Sequence, residues 1–390
     1  MYDPYAYYRE IESPVARVFQ KMEARGVCID TLYLRQLQAE LEAQFKPLDE
    51  EIKQKLGVQN VNSDKQVIDA LDKRFGLNFE LKGKATRSKV ALEKAADIPI
   101  VALLLKHSEL GTLLDTFVYK YLDRGVEVVH PFFNQCGTRT GRPSCSNPNL
   151  LQIPKRTDNG RRVRRMFIPR RGFTFYDSDY KQIEPWVLAV LSQDKDMLHL
   201  FSQGIDFHTY FASGLGIDRD KAKVFDLETY YFATKYGVAH TLKCSEEQAQ
   251  KEIEKAWNLF PGLRVWAEKL TWETKRKGYI ETLFGRRIKI DRLDSPIEWQ
   301  RNSAKRQMMN NMAQASAGEV IKKGMIRIAN DSRFSRSFGL MIQIYDALAG
   351  ETENLENDKL LIIEGMEKAV DLGIPLRVDF KSGPNWADVK

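Results

Sequence analysis

The 390-residue sequence is poor in histidine and cysteine, and the few it has are scattered. Its five histidines include no HExxH pair, which excludes the commonest histidine-built zinc site. Cys28, Cys136, Cys145 and Cys244 form no CxxC, so they read as reduced thiols of a cytoplasmic protein. No run approaches the roughly 18 apolar residues of a membrane helix. The opening MYDPYAYYREIE has no basic stretch followed by an apolar one, so no secretory signal is expected. No internal repeat and no low-complexity tract is found.

What is present is ordinary core material, 43% hydrophobic, on a chain long enough for several domain-sized units. The net charge is +7 and the pI about 9.0. Three basic clusters stand out. KRTDNGRRVRRMFIPRR (155–171) has eight Lys/Arg against Asp158, and KRKGYIETLFGRRIK (275–289) and LKGKATRSK (81–89) follow it in density. One basic run is usually a solvated face; three separated ones point to a polyanion partner.

Leu34, Leu37, Leu41, Phe45, Leu48, Ile52 and Leu56 repeat at helical spacing. Asp30 is the expected N-cap, Gly57 the stop, and Pro47 is expected to kink this helix. A second helix is predicted after Ser63 and a third over 99–122, so 31–125 forms a helical lobe with the basic loop 81–89 at its tip. Beyond 126, Gly, Pro, Asn and Ser become dense and predict loop and turn. Residues 185–275 read as mostly helical, 338–349 as a strand, 355–371 as the last helix and PLRVDF as a closing strand.

FTFYDSDYKQIEPWVLAVLSQD (173–194) ends a strand-like run with Asp177 and Asp179, then begins a helix. Asp346 also ends an apolar strand, in IQIYDAL. Two carboxylates at distant strand ends suit a pair of divalent cations about 4 Å apart, and Mg²⁺ accepts few protein ligands when substrate phosphates complete its shell. Taken alone, two such residues are more often plain turn aspartates.

The surrounding text resembles the family A DNA polymerases, those similar to bacterial DNA polymerase I. DYKQIE (179–184) looks like that family's motif A, and TRTGRPSCSNPNLLQIP (138–154) like its TxTGRLSSxxPNLQNIP segment. RRVRRMFIP (161–169), DFHTYFA (206–212), GYIETLFGRRIKI (278–290), AKRQMMNNMAQASAGEVIKKGM (304–325) and PLRVDFKSGPNWADVK (375–390) match further elements in order. The resemblance covers essentially the whole chain. It implies an α+β right-hand fold with an antiparallel palm sheet and mostly helical fingers and thumb. The palm would come from 1–30, 126–190 and 291–390, the thumb from 31–125 and the fingers from 191–290.

By that resemblance Asp179 and Asp346 hold two Mg²⁺, and Mn²⁺ would serve the same oxygens. Glu184 falls at the steric gate against ribonucleotides; as a helix N-terminal acid it would also favour the dipole. His208 falls at a phosphate-contacting position. Arg142, Arg286, Arg306, Asn310, Gln314 and Gln343 are implied on primer–template DNA, with Lys82 and Lys84 on the duplex from the thumb tip. Arg306, Asn310 and Gln314, spaced i, i+4, i+8, share one helix face.

Two departures are expected. The fingers pattern RxxxKxxxFxxxYG, registered on Phe232 and Tyr236–Gly237, puts Glu228 where Lys belongs and Val224 where Arg belongs. Lys221, with Lys223, is then the expected substitute. The second departure is Ala347 after Asp346, where the family has a third carboxylate. Asp177 either restores negative charge near the metals or is an exposed turn aspartate. The resemblance predicts a monomeric DNA-directed DNA polymerase that extends a primer with dNTPs, has no proofreading exonuclease in this chain, and has replication accessory proteins as further partners. A polymerase-fold primer–template binding protein with weakened or lost incorporation is the alternative; a single-subunit RNA polymerase fits poorly with Glu184.

Overall fold

The computed structural model describes residues 3–81, 84–86, 88–154 and 157–389. Helix Thr31–Leu56 begins where Asp30 accepts a hydrogen bond from the Tyr33 amide at 2.9 Å, and it ends at left-handed Gly57. Its apolar stripe is buried at Leu34, Leu37, Leu41, Leu48, Ile52 and Leu56, with Phe45 half-buried. The helix runs unbroken through Pro47. Both Pro47 and Ala43, whose carbonyl loses its partner, are exposed, so that carbonyl is left open to solvent and not buried unpaired. Helix Asp64–Phe75 starts on the Ser63 cap, and Pro99–Thr112 continues through a π-helical stretch, Leu113–Tyr119. Together these helices form one lobe.

The lobe is tied down at its base by a three-stranded antiparallel sheet. Val27–Ile29 lies between Val128–Val129 and Phe167–Ile168.

A four-stranded antiparallel sheet follows, in the order Gly339–Ile344, Ala347–Thr352, Thr174–Tyr180, Val378–Gly383. Strand Thr174–Tyr180 is therefore central, and its two faces alternate. Tyr180 turns to helix Leu355–Glu367, where its hydroxyl donates to the Met366 carbonyl at 2.7 Å. On the other face Phe175 stacks with Trp386. Residues 338–349, expected as one strand, turn at Tyr345 and Asp346 into two, and strand Gly339–Ile344 is buried on both sides from Gly339 to Gln343.

Between residues 183 and 277 the chain is helical, and its caps explain where each helix begins. Asp194, Asp206, Asp218, Thr234 and Ser245 each accept a backbone N–H from the first turn that follows. An aromatic core of Phe207, Phe211, Tyr230, Trp257 and Phe260 packs this block. The hairpin Tyr279–Glu281/Arg287–Lys289 leads to the 32-residue helix Glu298–Ala329, whose middle is buried on most sides. Helix Leu355–Glu367 packs on this long helix and on the central strand.

Candidate functional site: a cleft between the sheet and the helical block

A cavity of about 690 Å³ opens where the central sheet meets the helical block. Its sheet wall is built by strand register. Asp179 pairs across to Ala347 on one side and Asp379 on the other. Asp346 is in the two-residue turn just before Ala347, and its carbonyl accepts the Tyr180 amide at 3.1 Å. Tyr345 takes a left-handed φ of 54° to close that turn, and buried Gln343 donates to the Tyr345 carbonyl at 2.7 Å. Asp179, Asp346 and Asp379 all line the cavity. Burial, and then the charge of Asp179, push the Asp346 carboxyl well above the ordinary carboxylate range; its own backbone amide and Arg142 pull the other way.

Glu184 lies at the start of helix Ile183–Ser192 and lines the same cavity. It is held from two sides: Arg142 donates to one oxygen at 2.7 Å and the Tyr231 hydroxyl to the other. His208 is buried and lines the cavity, with Nδ1 against Asp226. Gln182 fixes that arrangement by bridging from the strand exit to Asp206 and to the Phe207 amide, at 2.6 and 3.1 Å.

The helix wall corrects the register expected from the sequence. Helix Arg219–Tyr230 ends before Phe232, which takes a left-handed φ of 58°, and a new helix starts at Lys235. Phe232 and Tyr236 therefore do not continue one helix with Val224 and Glu228. Phe232 packs on Trp257 beneath Lys305, and Tyr236 is exposed beside Lys235. Glu228 accepts from Thr241 at 3.1 Å on the neighbouring helix. Lys221 is exposed and is not among the cavity-lining residues; Arg219, Lys223 and Leu227 are. With Tyr231 these four stand at steps of four, meeting RxxxKxxxFxxxY five residues before the expected place, with Leu for the aromatic. The Asp218 cap was the signal in the sequence that marks where this helix begins.

Asp177 is also placed differently from either expectation. It is buried within the strand, 7% exposed, and its charge acts on buried Arg164. It does not line the cavity, and among the described residues no third Asp, Glu, His or Cys completes a metal-binding cluster.

The other basic positions divide. In helix Glu298–Ala329, every residue from Met308 to Lys322 is buried except Asn310 and Gln314, and Arg306 extends that open stripe by one turn. Arg286 instead donates to Glu12 at 3.3 Å, beneath Gly141, whose φ is 73° and whose added Cβ would lie 2.5 Å from the guanidinium. The cluster 155–171 is partly structural: Arg164 caps carbonyls of residues 153 and 154, Arg170 joins Glu351, and Arg162 pairs with Glu40 at 2.6 Å. The backbone of Lys84 pairs with Leu81, while Lys82 and the side chain of Lys84 lie outside the described residues.

A central antiparallel sheet, a helical lobe, and a helical block that meets the sheet at one acidic and basic cleft define a right-hand polymerase fold of mixed α+β class. Residues 31–388 match the model of DNA polymerase family A. The chain is 34% identical to the thermostable DNA polymerase I of Thermus thermophilus over 407 residues, covering 98% of this chain and 48% of that protein. It is 34% identical to DNA polymerase I of Bacillus subtilis over 403 residues, covering 98% and 46%. It thus spans about half the length of the curated relatives it matches. The solved POL domain of Pol1 from M. smegmatis, in complex with DNA primer-template and dNTP, superposes with a TM-score of 0.84 at 29% identity, over 97% of this chain and 70% of that one. The chain belongs to DNA polymerase family A.

Proposed function

We propose that this chain is a DNA-directed DNA polymerase that adds deoxynucleotides to a primer 3′ end. The observation that carries the reading is the cleft itself, where Asp179 and Asp346 face a helix wall bearing Lys223, Arg219 and His208. Within it, residues 1–30, 126–190 and 291–390 act as palm, 31–125 as thumb and 191–290 as fingers.

Asp179 and Asp346 would hold two Mg²⁺, and Mn²⁺ would suit the same hard oxygens. Their fit to cations rests on the raised Asp346 carboxyl: two carboxylates that repel each other in a buried site are relieved by a divalent ion between them. Held there, such ions would activate the 3′-hydroxyl and neutralise phosphate charge. Lys223, Arg219 and His208 receive the triphosphate. Arg142 and Tyr231 keep the Glu184 carboxylate from swinging aside, so a ribose 2′-hydroxyl would crowd against it. Arg306, Asn310 and Gln314 meet minor-groove acceptors that every correct pair presents, testing geometry and not sequence. Gln343 is buried, and its Oε1 has no hydrogen-bond partner among the described residues.

The binding-protein alternative loses its ground at Glu228 and Val224, because neither faces the cleft. Primer extension with dNTPs or NTPs, with Asp179→Ala as control, tests the reading. Extension with dNTPs, little with NTPs and none in the control is expected; a wild-type chain that binds primer–template without extending it would revive the alternative.

A further inference from the structure

We propose that Lys181 and Arg377 form a second cationic wall of the cleft, on the sheet side, which grips the two terminal phosphates of the incoming nucleotide and the pyrophosphate that leaves. The proposal rests on the polymerase reading and extends it to residues of this chain that the motifs did not single out.

Backbone geometry places the pair. The Lys181 amide donates to the Arg377 carbonyl at 2.8 Å, so two segments run side by side just beyond the sheet. Lys181 follows Asp179 by two residues, and Arg377 precedes Asp379, the cross-strand partner of Asp179, by two. Both line the same cavity as Asp179, Asp346 and Lys223. The Arg377 guanidinium reaches toward the turn that ends helix Lys195–Gln203: a Cβ on Gly204 would lie 3.5 Å from its Nε.

The two side chains are unlike the arginines around them. Arg219 is forked onto Asp206 and Arg142 onto Glu184. Lys181 and Arg377 are exposed and make no ion pair among the described residues. An unpaired arginine keeps its planar fork free for the paired oxygens of a phosphate. The duplex-facing residues Arg142, Arg306, Asn310 and Gln314 do not line this cavity, so cations inside it meet the nucleotide tail and not the helix of DNA.

The chemistry calls for such a grip. The primer 3′-oxygen bonds to the α-phosphorus, and the bond from that phosphorus to the oxygen bridging to the β-phosphate breaks. The electron pair leaves on pyrophosphate, and the hydroxyl proton passes to water. Negative charge grows on the leaving group, where Lys181 and Arg377 stand opposite Lys223.

Calorimetric titration of magnesium pyrophosphate into the intact chain alone, with no primer 3′ end for it to attack, tests this without turnover. Arg377→Gln and Lys181→Gln are each expected to weaken binding about tenfold, and the double variant more, since each loses one charged contact. Arg377→Lys and Lys181→Arg should recover most of it, and pyrophosphate inhibition of extension should shift in parallel. Undiminished binding in the double variant overturns the proposal. So does a loss that tracks a lowered melting temperature and is not recovered by the conservative variants. Primer extension on the same preparation judges the polymerase reading separately, because pyrophosphate binding is read without it.

Discussion

Two buried charge clusters in this molecule look alike group by group and are built to opposite ends. In the cleft, Asp346 is pushed up by burial and by the like charge of Asp179. Behind the hairpin Tyr279–Glu281/Arg287–Lys289, burial pushes Glu319 up to about 7. Glu319 is closed over: the Thr282 hydroxyl donates to it at 2.6 Å and the Phe284 amide at 3.3 Å. Beside it, Glu12 accepts from buried Lys322 at 2.7 Å, from Tyr7 at 3.0 Å and from Arg286 at 3.3 Å. That cluster ties the N-terminal helix, the hairpin and the long helix into one unit. The cleft does the reverse, setting like charges together at the wall of a cavity. A perturbed carboxyl therefore does not by itself mark a functional site; here the mark is imbalance of charge facing open space.

That contrast can be broken by substitution, and the largest effect is expected in the cleft. Asp179→Ala should reduce primer extension by about four orders of magnitude, because the charge stabilising the reacting phosphate goes with it. Its melting temperature should stay level or rise, since Asp346 loses a like charge. A stability loss in place of the activity loss would reverse the two clusters' roles. Lys322→Ala should do the opposite, costing about 2 kcal/mol of stability in chemical denaturation, because Glu12 loses one charged partner and keeps Arg286 and Tyr7.

Glu319 sharpens the comparison through pH. Its folded value lies above the ordinary 4.5, so its neutral form favours folding. The contribution is complete below 4.5 and is lost as pH rises to about 7. The window corresponds to about 3 kcal/mol, and Glu319→Gln, which keeps an acceptor but cannot titrate, should flatten that part of the stability profile. A profile unchanged in the variant would remove Glu319 as its source. The smallest effect separates two lysines. Lys223→Ala should raise the dNTP KM about 10- to 100-fold, the worth of one charged hydrogen bond. Lys221→Ala, on the opposite face, should leave it unchanged. Equal effects from both would restore the other register.

The cleft's sheet wall was readable beforehand because a strand end needs only alternation and a following turn. Asp179 and Asp346 are each flagged by an apolar run that stops. The helix wall was not, because Phe232 and Tyr236–Gly237 imitate the end of a pattern whose helix had already finished. Periodicity is blind to a shift of phase; a cap is not, and Asp218 supplied one. Arg286 shows a different limit. Its basic surroundings suggest a DNA contact, yet Glu12, 274 residues away, occupies it. The open stripe of Arg306, Asn310 and Gln314 was visible as spacing, but only burial of its neighbours separates it from an ordinary solvated face.

Alone, the sequence determined the caps, the apolar stripes, the strand ends and the ordered motifs that place the chain in its family, because each depends on neighbours within a turn or two. Tertiary structure decided which charges meet. Coulomb interaction falls off with distance in space and burial deepens it, and neither separation in space nor burial can be counted along the chain.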